Sequence, residues 1–262
     1  MAVVEVEHLS KVFVRGSHRV EALRDLSLRV DDGEFVAIVG PSGCGKSTLL
    51  HILGGFVPRD AGAMRVDGRD VHGPGPDRGM MFQDLALFPW RTVDGNVGWA
   101  LEAQGRPRAE RAAIVDKYLA LVGLQGFRHQ YPNELSGGMR QRVALARVLA
   151  FDPGVLLMDE PFGALDAQTR ELMQEELQRI WQQTRKTVLL VTHDIEEAVY
   201  LGERVVVFTA RPGQIKAVVP IALPQPRDIE VKKDPAFMAY RNTIWDLLRD
   251  EVLKARALET AS

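Results

Sequence analysis

The stretch from Phe35 to Leu53 limits the fold more than any other. Phe35-Val36-Ala37-Ile38-Val39 is an unbroken apolar run, Gly40 ends it, and Leu49-Leu50-His51-Ile52-Leu53 reads as a helix. Between them stand Gly40, Pro41, Ser42, Gly43, Cys44, Gly45, Lys46, Ser47 and Thr48, which fit the pattern G-x-x-x-x-G-K-[ST]. A strand that is apolar at every position has both faces covered, as in a parallel sheet flanked by helices. The glycines allow backbone N–H groups to curl around phosphates, and the helix start adds a favourable dipole. Lys46 is placed to reach the β- and γ-phosphates of a nucleotide, and the Ser47 hydroxyl to coordinate Mg²⁺. The plain alternative, a glycine-rich turn that binds nothing, has little room when strand, turn and helix all stand in order. Cys44 has two readings: a thiol activated by the helix start, or a small side chain that fits.

The rest of the chain repeats the alternation. Val155-Leu156-Leu157-Met158, Thr187-Val188-Leu189-Leu190-Val191 and Val205-Val206-Val207-Phe208 are further strand candidates. Apolar strands separated by helices predict an α/β fold, a mainly parallel sheet with helices on both faces, and ligands beyond the carboxyl ends of the strands. Val3–Glu7, Lys11–Val14 and Leu26–Val30 alternate in polarity and predict an antiparallel β part beside it. Residues 91–150 read as an inserted α-helical subdomain. Residues 1–90 and 151–220 make the core, and 221–262 form a tail with an amphipathic helix near Phe237–Leu253. All of it is expected to form one domain of 262 residues.

Composition removes several classes of function. A net charge of -2 gives no global basic field for nucleic acid. No apolar run approaches the ~20 residues of a spanning helix. Met1-Ala2-Val3-Val4-Glu5 lacks the basic start of a signal peptide, and the single cysteine excludes an internal disulfide. A reducing compartment is expected, with any membrane role carried by a partner.

Two more segments carry chemistry. The strand Val155–Met158 ends in Asp159-Glu160, where Asp159 suits Mg²⁺ and Glu160 suits a general base acting on water. By itself such a strand end is as often a solvated terminus. In Leu135-Ser136-Gly137-Gly138-Met139-Arg140-Gln141-Arg142, Ser136 reads as the N-cap of a helix running through Ala150. Its small residues leave N–H groups open to an anion, although from composition alone an ordinary capped helix is the favoured reading.

Taken together, these motifs make residues 2–220 resemble the nucleotide-binding subunits of ABC transporters, with Leu135-Ser136-Gly137-Gly138 as the family signature. The resemblance implies ATP and Mg²⁺ as ligands and gives roles to individual residues. Phe13 falls where the family stacks an aromatic on adenine, though a buried strand residue is a serious alternative. Gln83 matches the glutamine that contacts Mg²⁺ and links the lobes. Asp166, in Gly163-Ala164-Leu165-Asp166, falls in the loop where monomers meet; the family often has Ser at the place of Gly163. His193 matches the histidine that senses the γ-phosphate. Ser136, Gly137 and Gly138 would contact ATP held by the opposite chain. A nucleotide-bound homodimer is implied, docked on transmembrane permease subunits at the cytoplasmic face of the inner membrane and served indirectly by an extracytoplasmic solute-binding protein.

Four further stretches resemble the nitrate, sulfonate and taurine importers: Leu87–Val93, Val207–Gly213, Leu223–Asp228 and Ile244–Arg249. Phe88 and Trp90 are either core residues or part of the groove that receives the permease. A non-transport ABC ATPase acting on nucleic acid or ribosomes is the alternative. About ninety residues separate Ser47 from Ser136, which leaves no room for the long coiled coil of the DNA-repair members. Translation-factor members carry two ATPase units per chain, and here there is one.

Overall fold

The computed structural model describes residues 3–16 and 18–260. Met1 and Ala2, on which part of the signal-peptide argument rests, lie outside it, as does the end of the tail.

The first two strands, β1 (Val4–Arg15) and β2 (His18–Val30), pair antiparallel. The sequence suggests two strands where β1 is one. Its register shifts between Val6 and Leu9, between Leu9 and Lys11 and again before Val12, and His8 takes a φ of 51°. Each irregularity resets the inside-outside alternation, so a single bulged strand looks like two in sequence. With β4 (Ala61–Val66) and β5 (Arg69–Asp70) these strands form a four-stranded sheet in the order β2-β1-β4-β5.

The second sheet holds β3 (Phe35–Val39), β6 (Arg78–Met81), β7 (Val155–Asp159), β8 (Thr187–Val191), β9 (Arg204–Phe208) and β10 (Ile215–Pro220). Its order is β10-β9-β3-β8-β7-β6, parallel except for β10 at one edge. Every residue of β3, β7 and β8 is buried. Side chains alternate along a strand, so β3 feeds two cores. Phe35, Ala37 and Val39 belong to the one covered by most of the helices. Val36 and Ile38 belong to the other, shared with β1, β2, β4 and the helix α1 (Lys46–Leu53).

Residues 91–150 supply α2 (Val93–Ala103), α3 (Arg108–Leu121) and α4 (Gly137–Ala150), which pack on one another. Strand β6, too short to show a period in the sequence, is only four residues long and contains Gly79. A Cβ there would lie 2.4 Å from Val148 of α4, so the glycine marks close packing of helix on strand. After β7 come α5 (Ala167–Thr184) and α6 (Ile195–Leu201).

The tail helix α7 (Pro235–Thr260) is longer than the amphipathic stretch expected from sequence. It buries Phe237, Ile244 and Leu248. Glu251 anchors it, accepting from Ala210 N at 2.9 Å, Lys216 Nζ at 3.0 Å and Lys254 Nζ at 2.8 Å. Burial alone would push this carboxyl up, but the donors outweigh it and hold the group at about 2. Among the described residues no helix is long and apolar enough to cross a membrane.

Candidate active site

Because β3, β7 and β8 are parallel and adjacent, their carboxyl ends lie along one edge, with Ile38 and Asp159 both level with Val191. The loop after β3 ends at Gly45, whose φ of 105° is closed to ordinary side chains. A Cβ on Gly45 would also lie 2.6 Å from the Ala22 carbonyl. Lys46 is buried, and its ammonium donates to the Gly40 and Pro41 carbonyls at 2.8 and 2.9 Å. The charge is thus held inside the loop, where anionic phosphate oxygens would be stronger acceptors than neutral carbonyls. Cys44 is buried and its thiol pushed up by that burial, which removes the reading of an activated thiol.

The Ser47 hydroxyl donates to Asp159 Oδ1 at 2.9 Å, and His51 Nε2 lies 3.8 Å from Asp159 Oδ2. Burial pushes the Asp159 carboxyl up, and the Ser47 bond opposes it. A desolvated carboxylate beside a hydroxyl is a hard-oxygen pair that fits Mg²⁺, an ion that takes its remaining ligands from phosphates and water.

Glu160 follows directly, its φ of 46° in a region that non-glycine residues seldom enter. Its N–H donates to the Val191 carbonyl at 2.9 Å, fixing the turn. Two side chains meet at Glu160 Oε2: His193 Nδ1 at 3.3 Å from beyond β8, and Gln83 Nε2 at 3.4 Å from beyond β6. Three strand ends therefore converge on one carboxylate.

Ser136, Gly137, Gly138 and Asp166 form a second group. Ser136 caps α4, its Oγ accepting from Met139 N at 3.3 Å. A Cβ on Gly138 would lie 2.8 Å from Thr169 Cγ2, and one on Gly137 3.3 Å from Leu165 Cδ2. Asp166 caps α5 through Thr169 N at 3.0 Å, and that backbone bond lowers its pKa. The starts of α4 and α5 are therefore packed together.

Phe13 is exposed on β1, with Lys11 Nζ 5.3 Å from its ring centroid, which excludes the buried reading. Trp90 is 72% exposed, so it too is no core residue. Phe88 sits 5.6 Å from Trp90 and 5.0 Å from Trp99, making an aromatic cluster on the surface. The tail helix borders the site: Trp245, Leu248 and Val252 face Pro41, Ser42 and His193 across a groove of about 590 Å³.

Glu197, on α6 close behind His193, is a buried carboxyl that its sequence context does not reveal. Burial first, then the Asp194 charge, push its carboxyl up to about 8, against the bond from Gln174 Nε2 at 3.3 Å. An unfolded chain releases this proton near the ordinary glutamate value of 4.5, whereas the folded chain keeps it to about 8. The folded state therefore binds more protons across that window, and stability falls as pH rises through it. The limiting slope is about 1.4 kcal/mol per pH unit. Denaturant unfolding from pH 5 to 8 should show this fall, and Glu197→Gln should flatten it; an unchanged slope in the variant would remove Glu197 as its source.

A family model described as ABC transporter matches residues 23–163. The chain is 48% identical over 252 residues to the nitrate import ATP-binding protein of Synechocystis sp., covering 94% of this chain and 95% of that protein. It is 47% identical over 235 residues to the taurine import ATP-binding protein of Jannaschia sp., covering 88% of each. Among solved structures it resembles an ATP-binding cassette whose dimer was solved in a post-hydrolysis state bound to ADP and Pi. That match has a TM-score of 0.74 and 32% identity, over 84% of this chain and 100% of the other. The chain belongs to the ABC transporter family. Within it, this is an ATP-binding subunit and an ATPase.

Proposed function

We propose that the chain powers import of a small anion of the nitrate, sulfonate or taurine kind, as a homodimer that holds ATP between its two copies. The convergence of Gln83 and His193 on Glu160, beside the phosphate loop, carries the hydrolytic part of this reading, and the likeness to nitrate and taurine import ATP-binding proteins supports the transport part. Lys46 and the loop N–H groups bind the phosphates, and Phe13 offers its exposed ring to adenine. Ser47 and Asp159, with Gln83 nearby, would hold Mg²⁺, which would supply neutralisation of the developing phosphate charge. Glu160 takes the proton of the attacking water, while His193 donates towards the γ-phosphate. Ser136, Gly137 and Gly138 serve the ATP of the opposite copy, and Asp166 lies at the junction.

The permease subunits dock on the exposed rings of Trp90 and Trp99, which the half-buried Phe88 packs against, since exposed aromatics mark interface cores. This holds the chain at the cytoplasmic face of the inner membrane, with a solute-binding protein delivering the anion from outside. The chain should co-purify with a multi-spanning membrane protein, and Trp90→Asp should abolish this while leaving ATP affinity intact. Pure protein that binds protein-free liposomes at physiological salt would contradict partner-dependent recruitment.

A further inference from the structure

Arg147 lies on α4, eleven residues after Ser136 and thus about three helical turns further along the same face. It interrupts the apolar run Val143–Ala150, and it is buried. Its guanidinium donates through Nη1 to the Ala86 carbonyl and through Nη2 to the Leu85 carbonyl, both at 2.6 Å. The Phe88 ring centroid lies 5.8 Å from its Cζ. Burial draws the guanidinium's pKa down, with Asp84 opposing. A buried cation that spends its fork on two backbone carbonyls is an expensive arrangement for packing alone.

The two carbonyls belong to an unusual turn. Leu85 and Ala86 have φ values of 58° and 45°, consecutive non-glycine residues in the left-handed region. Such a conformation persists only where the surroundings over-determine it. The turn begins two residues after Gln83, whose side chain reaches Glu160. Beyond it, the fully buried Asn96 of α2 bonds Phe88 N at 2.8 Å, Arg91 O at 2.9 Å and Thr92 O at 3.0 Å. The segment from Gln83 to Thr92 is thus pinned to the helical part of the molecule, and Arg147 is the pin nearest the glutamine.

We propose that Arg147 is a positioning residue: its fork fixes the turn that aims Gln83 at Glu160, and so ties that glutamine to the helix that begins at Ser136. The inference rests on the catalytic reading of Gln83 and Glu160 given above. A lysine keeps the charge but cannot bridge two carbonyls with a planar fork. Misplacing a catalytic group by a fraction of its reach slows chemistry far more than it weakens binding.

The test is a double-mutant cycle on the full chain, read as kcat and KM for ATP hydrolysis, with melting curves to confirm folding. Arg147→Lys should lower kcat about ten-fold or more while KM for ATP stays within about two-fold. In a Gln83→Ala background the same change should cost about two-fold or less, because the group being positioned is gone. Should Arg147→Lys fail to fold, Arg147→Gln buries no charge and enters the same cycle. Losses that multiply in the double variant overturn the inference and leave the catalytic reading standing. A Gln83→Ala protein with wild-type kcat overturns the catalytic role of Gln83, and this inference with it. A lowered melting temperature with unchanged kcat would make Arg147 structural only.

Discussion

Glu160→Gln should stop turnover and leave ATP bound. The amide has the shape of the carboxylate, so the turn held by the Val191 carbonyl and the approach of His193 and Gln83 should survive. What is lost is a group able to take a proton from water, a contribution of roughly 100- to 10,000-fold. The change also removes one negative charge beside the position of the γ-phosphate, which favours the bound state. ATP should accumulate in a persistent dimer, visible as ATP-dependent elution at twice the monomer mass with almost no phosphate release. Phosphate release near the wild-type rate would remove Glu160 from the role of general base.

The second large effect concerns how a site is completed. Lys46 and Ser136 open different helices, α1 and α4. The start of α4 is packed against Leu165 and Thr169 of its own chain, in the group with Asp166 rather than with the phosphate loop. Both starts present N–H groups suited to an anion. Two copies facing each other let one triphosphate share both, which gives ATP a physical reason to join the chains and hydrolysis a reason to release them. A Lys46→Ala chain paired with a Ser136→Arg chain should therefore retain one sound site. The other site inherits both defects: a loop without its ammonium, facing a helix start blocked by a long cation.

Much of this was legible in the sequence, for reasons that differ by element. Strand β3, its loop and α1 were readable because continuous burial, glycine and helix follow one another without interruption. That both faces of β3 are covered follows from its unbroken apolar run; that the two faces feed separate cores appears only in the packing. Strand β1 misled because its register shifts hide continuity, and β6 escaped because four residues with a central glycine carry no period. The roles of Gln83 and His193 were legible only by family resemblance, since their meeting at Glu160 depends on three strands far apart in the chain. Glu197 gave no signal: in Ile195-Glu196-Glu197-Ala198 it looks like an acidic first turn exposed to water, and only the packing of α5 shows it buried. Arg147 did leave a trace, as one charge inside an apolar helical run. Without the turn at Leu85 and Ala86 that trace had no partner to explain it.

The central claim is that ATP is held between two copies of the chain. The most direct measurement counts ATP trapped per mixed dimer of Lys46→Ala and Ser136→Arg chains, with Glu160→Gln in both so that no nucleotide is consumed. A shared site predicts close to one ATP per dimer. No trapped ATP in an intact mixed dimer would contradict it, since two self-sufficient chains, each damaged, leave no sound site.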